Sequence, residues 1–174
     1  KLIIQLNKPL KENETCKLKF KYNGVFLGWV SNRIDTNSSW LLVESKFYPW
    51  IEGTTLKNKA TFNAKITVTD SLTVVSVGDL IYVDSMDNKR IYNYKSDMPK
   101  NNFSISVAKY IITETTQNNI HIKSFLFPEH QDKNDTILYL FGKALSYYQE
   151  QFGKYPFSEF RIVETNRRGG YAPE

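Results

Sequence analysis

The chain of 174 residues has little of what most catalytic sites are made from: one cysteine, Cys16, and two histidines, His121 and His130. A single thiol excludes an internal disulfide framework and a cysteine-based zinc cluster. The histidines stand on what read as different elements, neither within an H-E-x-x-H motif, so the pair alone makes no metal site. No serine carries the flanking glycines of a nucleophile elbow. Long apolar runs are missing too. Nothing approaches the roughly 18–20 residues that cross a bilayer as a helix, and "KLIIQLNKPL" lacks the apolar stretch of a signal peptide. The net charge of +5 comes from lysines scattered among Asp and Glu. Such scatter describes solvated faces rather than a basic stripe, and no nucleic-acid partner is expected. Four Asn-x-Ser/Thr sequons, at Asn13, Asn37, Asn102 and Asn134, match the number that chance gives in so Asn-, Ser- and Thr-rich a chain. They assign no compartment.

What remains is core-forming material, 41% hydrophobic and 14% aromatic, in a length that suits one domain or one domain and part of another. The first two-thirds read as strands. In "KLKFKY", Leu18, Phe20 and Tyr22 alternate with Lys17, Lys19 and Lys21, as in a sheet with one wet face. Phe62, Ala64, Ile66 and Val68 alternate likewise in "ATFNAKITV". "SWLLVESKFYPWI", punctuated by Pro49, "LTVVSVG", "LIYVD", "RIYNYKS", "FSISVAKYII" and "NIHIKSFLF" extend the series, with "DMPKNN" reading as a turn. Short strands this closely spaced predict an antiparallel β-sandwich or saddle.

After the hydrated connection "PEHQDKN" the period changes. Ile137, Phe141, Ala144, Leu145, Tyr148 and Phe152 recur at spacings of three and four, predicting one apolar face of an amphipathic helix. Asn134 or Asp135 is placed to cap its start, and Gly153 to end it. Gly142 weakens the helix interior unless it permits close packing. "SEFRIVE" returns to strand, and "NRRGGYAPE" follows as a glycine loop. Its "RRGG" joins backbone amides to two guanidinium groups, as anion sites do, but lacks the P-loop lysine and spacing; a surface turn is the simpler reading.

Lys59 to Gly78, "KATFNAKITVTDSLTVVSVG", resembles a signature of the aminopeptidase N family of zinc metallopeptidases, of the type K-A-T-F-x-x-x-I-T-V-P-x-x-L-x-x-x-S-N-G. Asp70 stands near the proline position and Val77 replaces the usual Asn. "FYPWIEG" (Phe47 to Gly53) is similar to the proline-containing segment that precedes this signature in the family, "MPKNNFSISVAKY" (Met98 to Tyr110) to its later strand that closes the β-domain, and "ALSYYQEQFGKYPFSEFRIVETNRRGGYAPE" to the opening of its catalytic domain. The resemblance implies an amino-terminal β-domain over residues 1–130. It implies the start of a thermolysin-like catalytic domain over 131–174, cut before the zinc motif. Zinc is then expected in the full-length protein and none in this fragment, which is expected to be inactive alone. The implied partners are a peptide or protein substrate and the missing catalytic domain.

The same resemblance marks candidate substrate-binding positions. Where typical members read G-x-M-E-N, this chain places Gly169 and Gly170 on the glycine segment, Tyr171 at Met, Ala172 at Glu and Pro173 at Asn. The family's Glu helps hold the substrate's free amino terminus, and the methyl group of Ala172 cannot pair with an ammonium ion. Glu174 lies two places later, and Glu44 in "LLVESKFYP" is the β-domain carboxylate nominated for the same amine. The leading expectation is a zinc-dependent, aminopeptidase-like hydrolase of peptide bonds. The altered loop keeps open a non-catalytic relative that serves as an interaction or scaffold domain.

Overall fold

The computed structural model describes residues 3–24, 33–34, 37–42, 45, 47–49, 59–166, 170 and 172. The architecture is mainly β, with one helix and a strand after it. Strands β1 (Arg33–Ile34), β2 (Ser38–Leu41), β4 (Thr73–Ser76) and β7 (Ile105–Ala108) form an antiparallel sheet in the order β1-β2-β7-β4. A second antiparallel sheet has the order β3-β6-β5, from β3 (Ala60–Thr69), β5 (Asp79–Met86) and β6 (Lys89–Lys100). In the third, β9 (Ile120–Leu126) lies between β8 (Ile111–Gln117) and β10 (Glu159–Val163), antiparallel to β8 and parallel to β10.

The alternation in β3 is realised in full. Phe62, Ala64, Ile66 and Val68 are half-buried, while Asn63, Lys65 and Thr67 between them are exposed. Phe62, Ile66 and Val68 pack on a core of Val74, Tyr92, Tyr94 and Val107, which joins the first two sheets face to face. Two tyrosines of β6 reach across it: Tyr94 donates its hydroxyl to the Val74 carbonyl at 2.9 Å, and Tyr92 donates to that of Leu72 at 3.2 Å. Burial pushes the Tyr94 phenol up to about 12, against the opposing pull of Arg161. The β5–β6 and β8–β9 hairpins turn on Asp87-Asn88 and Asn118-Asn119, all four at positive φ. That is the conformation of a two-residue I′ turn, which Asn and Asp tolerate better than other side chains.

A second core fills the C-terminal part. Helix α1 (Asn134–Phe152) follows a 3-10 segment (Pro128–Lys133) and connects β9 to its parallel neighbour β10. Ile120, Ile122, Leu138 and Leu145 are buried there, with Tyr155, Phe160 and Ile162 packed against them. Gly142 lies in this contact, and a Cβ at that position would meet Gln117 Oε1 at 2.1 Å and Ile122 Cδ1 at 3.7 Å. Its missing side chain leaves room for the Gln117 amide, which donates to Ser146 Oγ of the helix at 2.8 Å. The division expected after residue 130 runs through this sheet, since β8 and β9 precede it and α1 and β10 follow.

Four local expectations are corrected. "KLKFKY" forms no strand: no strand among the described residues pairs with it, and Leu18, Phe20 and Tyr22 are exposed, Tyr22 donating its hydroxyl to the Phe47 carbonyl at 2.8 Å. "DMPKNN" turns only at its end, because β6 continues through Pro99 to Lys100. The register jumps between the Ala60–Lys100 and Phe62–Ser96 pairs, so Pro99 falls in a bulge where no ladder hydrogen bond is asked of it. "FSISVAKYII" is two strands, β7 and β8, that serve different sheets. The helix buries Asn134, Leu138, Gly142 and Leu145, a stripe rotated from the expected one, leaving Phe141, Ala144, Tyr148 and Phe152 exposed.

Asn134 does not cap the helix with its side chain. It is buried, accepts from Ser124 Oγ at 2.5 Å and donates to the Gln131 carbonyl at 3.2 Å, tying the helix start to β9. Gly153 ends the helix as expected, at φ +92°, with its N–H bonded to the Gln149 carbonyl at 3.0 Å.

Candidate functional site

The glycine loop is reached through β10, every residue of which is half-buried. Glu159 and Arg161 are two positions apart in a strand and therefore share a face. The Glu159 carboxylate accepts from Lys123 Nζ at 2.8 Å and from Arg161 Nε. Arg161 Nη1 also donates to the carbonyls of Ser76 at 2.7 Å and Gly78 at 2.9 Å. Its guanidinium carbon stands 5.7 Å from the centroid of the Tyr94 ring, within cation–π range. One arginine thus joins all three sheets: β10, the end of β4, and β6. Ser76 and Gly78 are the serine and glycine that close the family-like signature, and their carbonyls are what that segment gives to the joint. Gly78 adopts φ +83°, and a Cβ there would lie 2.6 Å from the Lys95 carbonyl oxygen.

Burial alone would raise the Glu159 carboxyl, but the hydrogen bond from Lys123 and the charge of Arg161 outweigh it and hold the group below its ordinary 4.5. A depressed carboxylate stabilises the fold above its unfolded pKa, and that stability is lost as pH falls through the folded value. Acid titration downward from pH 4.5 should therefore destabilise the chain, more steeply than it does a Glu159→Gln variant. Denaturant melts at stepped pH test this; parallel pH profiles for the two proteins would reject it.

Beyond Arg161 the strand ends at Val163, and Glu164 follows it. Its N–H donates to the Phe125 carbonyl at 2.9 Å, and its own carbonyl accepts from the Tyr110 hydroxyl at 3.0 Å. Its side chain accepts from the Phe127 N–H at 2.7 Å and meets His130 Nδ1 at 2.5 Å. The Tyr110 ring stacks on Phe127, 5.7 Å between centroids. Burial raises the Tyr110 phenol well above its ordinary value, and the neighbouring Glu164 charge adds to the rise. Two residues on, Asn166 Nδ2 donates to Ser38 Oγ of β2 at 2.8 Å.

Of the expected site residues, Gly170 and Ala172 are described, and both are exposed. A Cβ built on Gly170 meets nothing within 4 Å, so no packing within the described chain requires glycine there. Gly169, Tyr171, Glu174 and Glu44 lie outside the described residues. The structure instead makes two groups along β10, Lys123 with Glu159 and Arg161, and Glu164 with Tyr110 and His130, which the sequence reading did not single out as site residues. An alternating Glu-x-Arg in an otherwise apolar strand was the available signal. Zinc does not fit the residues described: among them, no three His, Cys, Asp or Glu side chains converge. His121 Nδ1 faces Thr116 Oγ1 at 3.2 Å, and His130 is engaged by Glu164. No described helix is long and apolar enough to cross a membrane.

No protein-family model and no curated protein matches the chain. Solved structures do. An M1 zinc metallopeptidase from Deinococcus radiodurans aligns at a TM-score of 0.59 and 14% identity, over 80% of this chain and 34% of its own. A two-domain M1 zinc metallopeptidase, a Glu-to-Ala mutant bound to L-arginine, aligns at 0.58 and 14%, with the same 80% and 34% coverage. The chain thus spans about a third of the length of the structures it matches. Identity this low speaks for fold alone, and in fold the chain is similar to part of an M1 zinc metallopeptidase.

Proposed function

We propose that the chain supplies the β-domain and the opening of the catalytic unit of a zinc-dependent peptidase, aminopeptidase-like in its action on peptide bonds. The observation that carries this reading is an ordered one. A β-sandwich and then a β-α-β crossover follow one another in a chain that is similar in fold to the M1 zinc metallopeptidases over 80% of its length. In this reading residues 1–130 are the β-domain and 131–174 begin the catalytic unit, with the β8–β9 hairpin as the shared joint. The zinc ligands belong to the rest of the full-length protein. The chain's own share is positional: Arg161 fixes β10 against the β-domain, and the loop beyond it lies along a bound peptide. Gly169, Gly170, Tyr171 and Ala172 would offer backbone to that peptide, and Glu44 or Glu174 would receive its amine. The exposed Tyr139, Leu140, Tyr147, Tyr148 and Phe152 of α1 would pack against the remainder of the catalytic unit.

The test is a peptidase assay on the full-length protein with free-amino and amino-blocked peptides, before and after chelation and zinc restoration. Cleavage that chelation abolishes and zinc restores is the expected result. Restriction to free-amino peptides would mark aminopeptidase action, and cleavage of blocked peptides a relaxed specificity. A folded protein that cleaves neither would sink the reading in favour of an interaction or scaffold domain, which Ala172 at the family's Glu position favours.

A further inference from the structure

Glu164 stands one residue past β10, and all of its polar groups are engaged. Its two main-chain bonds go to the end of β9 and to the β7–β8 junction; its two carboxylate oxygens go to Phe127 and to His130 in the 3-10 segment. A residue bonded from three segments has little rotational freedom left to lose. The next contact along the chain, Asn166 to Ser38, then holds the loop entrance against β2. Hydrogen-bond chemistry also fixes the state of the histidine. A carboxylate can only accept, so the 2.5 Å approach to Nδ1 requires the proton on Nδ1. For a neutral imidazole that is the tautomer free histidine disfavours. Carboxylate-oriented histidines are a general means of fixing a ring and what is attached to it.

We propose that Glu164 is a positioning residue, setting where the glycine loop leaves β10 through a clasp that holds His130 in its Nδ1–H tautomer. Its bearing on how a peptide would be received rests on the peptidase reading above. The clasp itself does not.

Two variants separate positioning from bulk stability. In Glu164→Gln the Phe127 N–H needs the amide oxygen, which turns the amide NH2 toward His130. The ring must then accept at Nδ1 and carry its proton on Nε2. With the chain labelled in 15N-histidine and held at an alkaline pH where the nitrogen shifts themselves report a neutral ring, long-range proton–nitrogen correlation reads the tautomer directly. The wild type is expected as Nδ1–H and Glu164→Gln as Nε2–H, with the nuclear Overhauser contact between Asn166 and Ser38 kept in both. Glu164→Ala is expected to lose that contact while Val74 and Val107, paired in β4 and β7, keep theirs. The proposal is overturned if Glu164→Gln leaves the tautomer unchanged, or if Glu164→Ala retains the Asn166–Ser38 contact. It is overturned equally if Glu164→Ala loses the Val74–Val107 contact, which would mark a merely structural role. The Glu164→Gln arm decides alone should Glu164→Ala fail to fold. Peptide cleavage is read in the separate assay, so the two readings fail independently.

Discussion

Leu145→Asp should lower the stability of the chain by about 4 kcal/mol, combining loss of a buried leucine with burial of an unpaired carboxylate. Leu145 is 8% exposed and belongs to the core formed with Ile120, Ile122 and Leu138. Lys143, two positions away, is exposed, with its ammonium 5.7 Å from the Tyr139 ring. Lys143→Asp should therefore shift stability only by the small amount typical of surface substitutions. Urea melts of the two variants decide it. Equal shifts would mean that the helix does not present Leu145 to β9, and the orientation of α1 would have to be redrawn.

Gly78→Ala carries the second large effect, about 3 kcal/mol. The substituted residue would need φ near +83° with its Cβ 2.6 Å from a backbone oxygen and 3.0 Å from the Phe62 ring. Backbone has to move to relieve that, and the moving residue carries one of the carbonyls that hold Arg161. Gly153 provides the control. Its φ of +92° is as positive, yet a Cβ there meets nothing within 4 Å, so Gly153→Ala should cost only about 1 kcal/mol of backbone strain. Similar melting shifts for both alanine variants would show that the close approach of β6 to Gly78 contributes nothing.

The parts of the fold that sequence made legible are those governed by short-range periodicity. Phe62 to Val68 announced both a strand and its buried face, because the period of two is the same for the pattern and the pleat. The helix was legible as a helix but not as an oriented one. Its aromatic side chains dominate the apolar pattern, whereas the face that packs on β9 contains Gly142, with no side chain, and Asn134, a polar group satisfied by Ser124. Hydrophobicity selects neither. "KLKFKY" shows the reverse failure: alternation states which face could be buried, and burial still needs a partner. The loop positions Gly170 and Ala172 were nominated through family likeness alone. Arg161, Glu159 and Glu164 escaped because their meaning lies in distant partners, which no local pattern encodes.

The Arg161 joint has a consequence for the order in which the chain assembles. Its carbonyl partners lie 85 and 83 residues away in sequence, whereas the β5–β6 and β8–β9 hairpins close through two-residue turns. Closing a long loop costs more entropy than closing a short one, and contacts of large sequence separation form slowly. The hairpins can therefore exist before β10 has anything to dock on, while the arginine finds its acceptors only once β4 and the turn at Gly78 are in place. A joint of such sequence separation is expected to form after the hairpins, and refolding followed at Arg161 and at the hairpins separately would check that order.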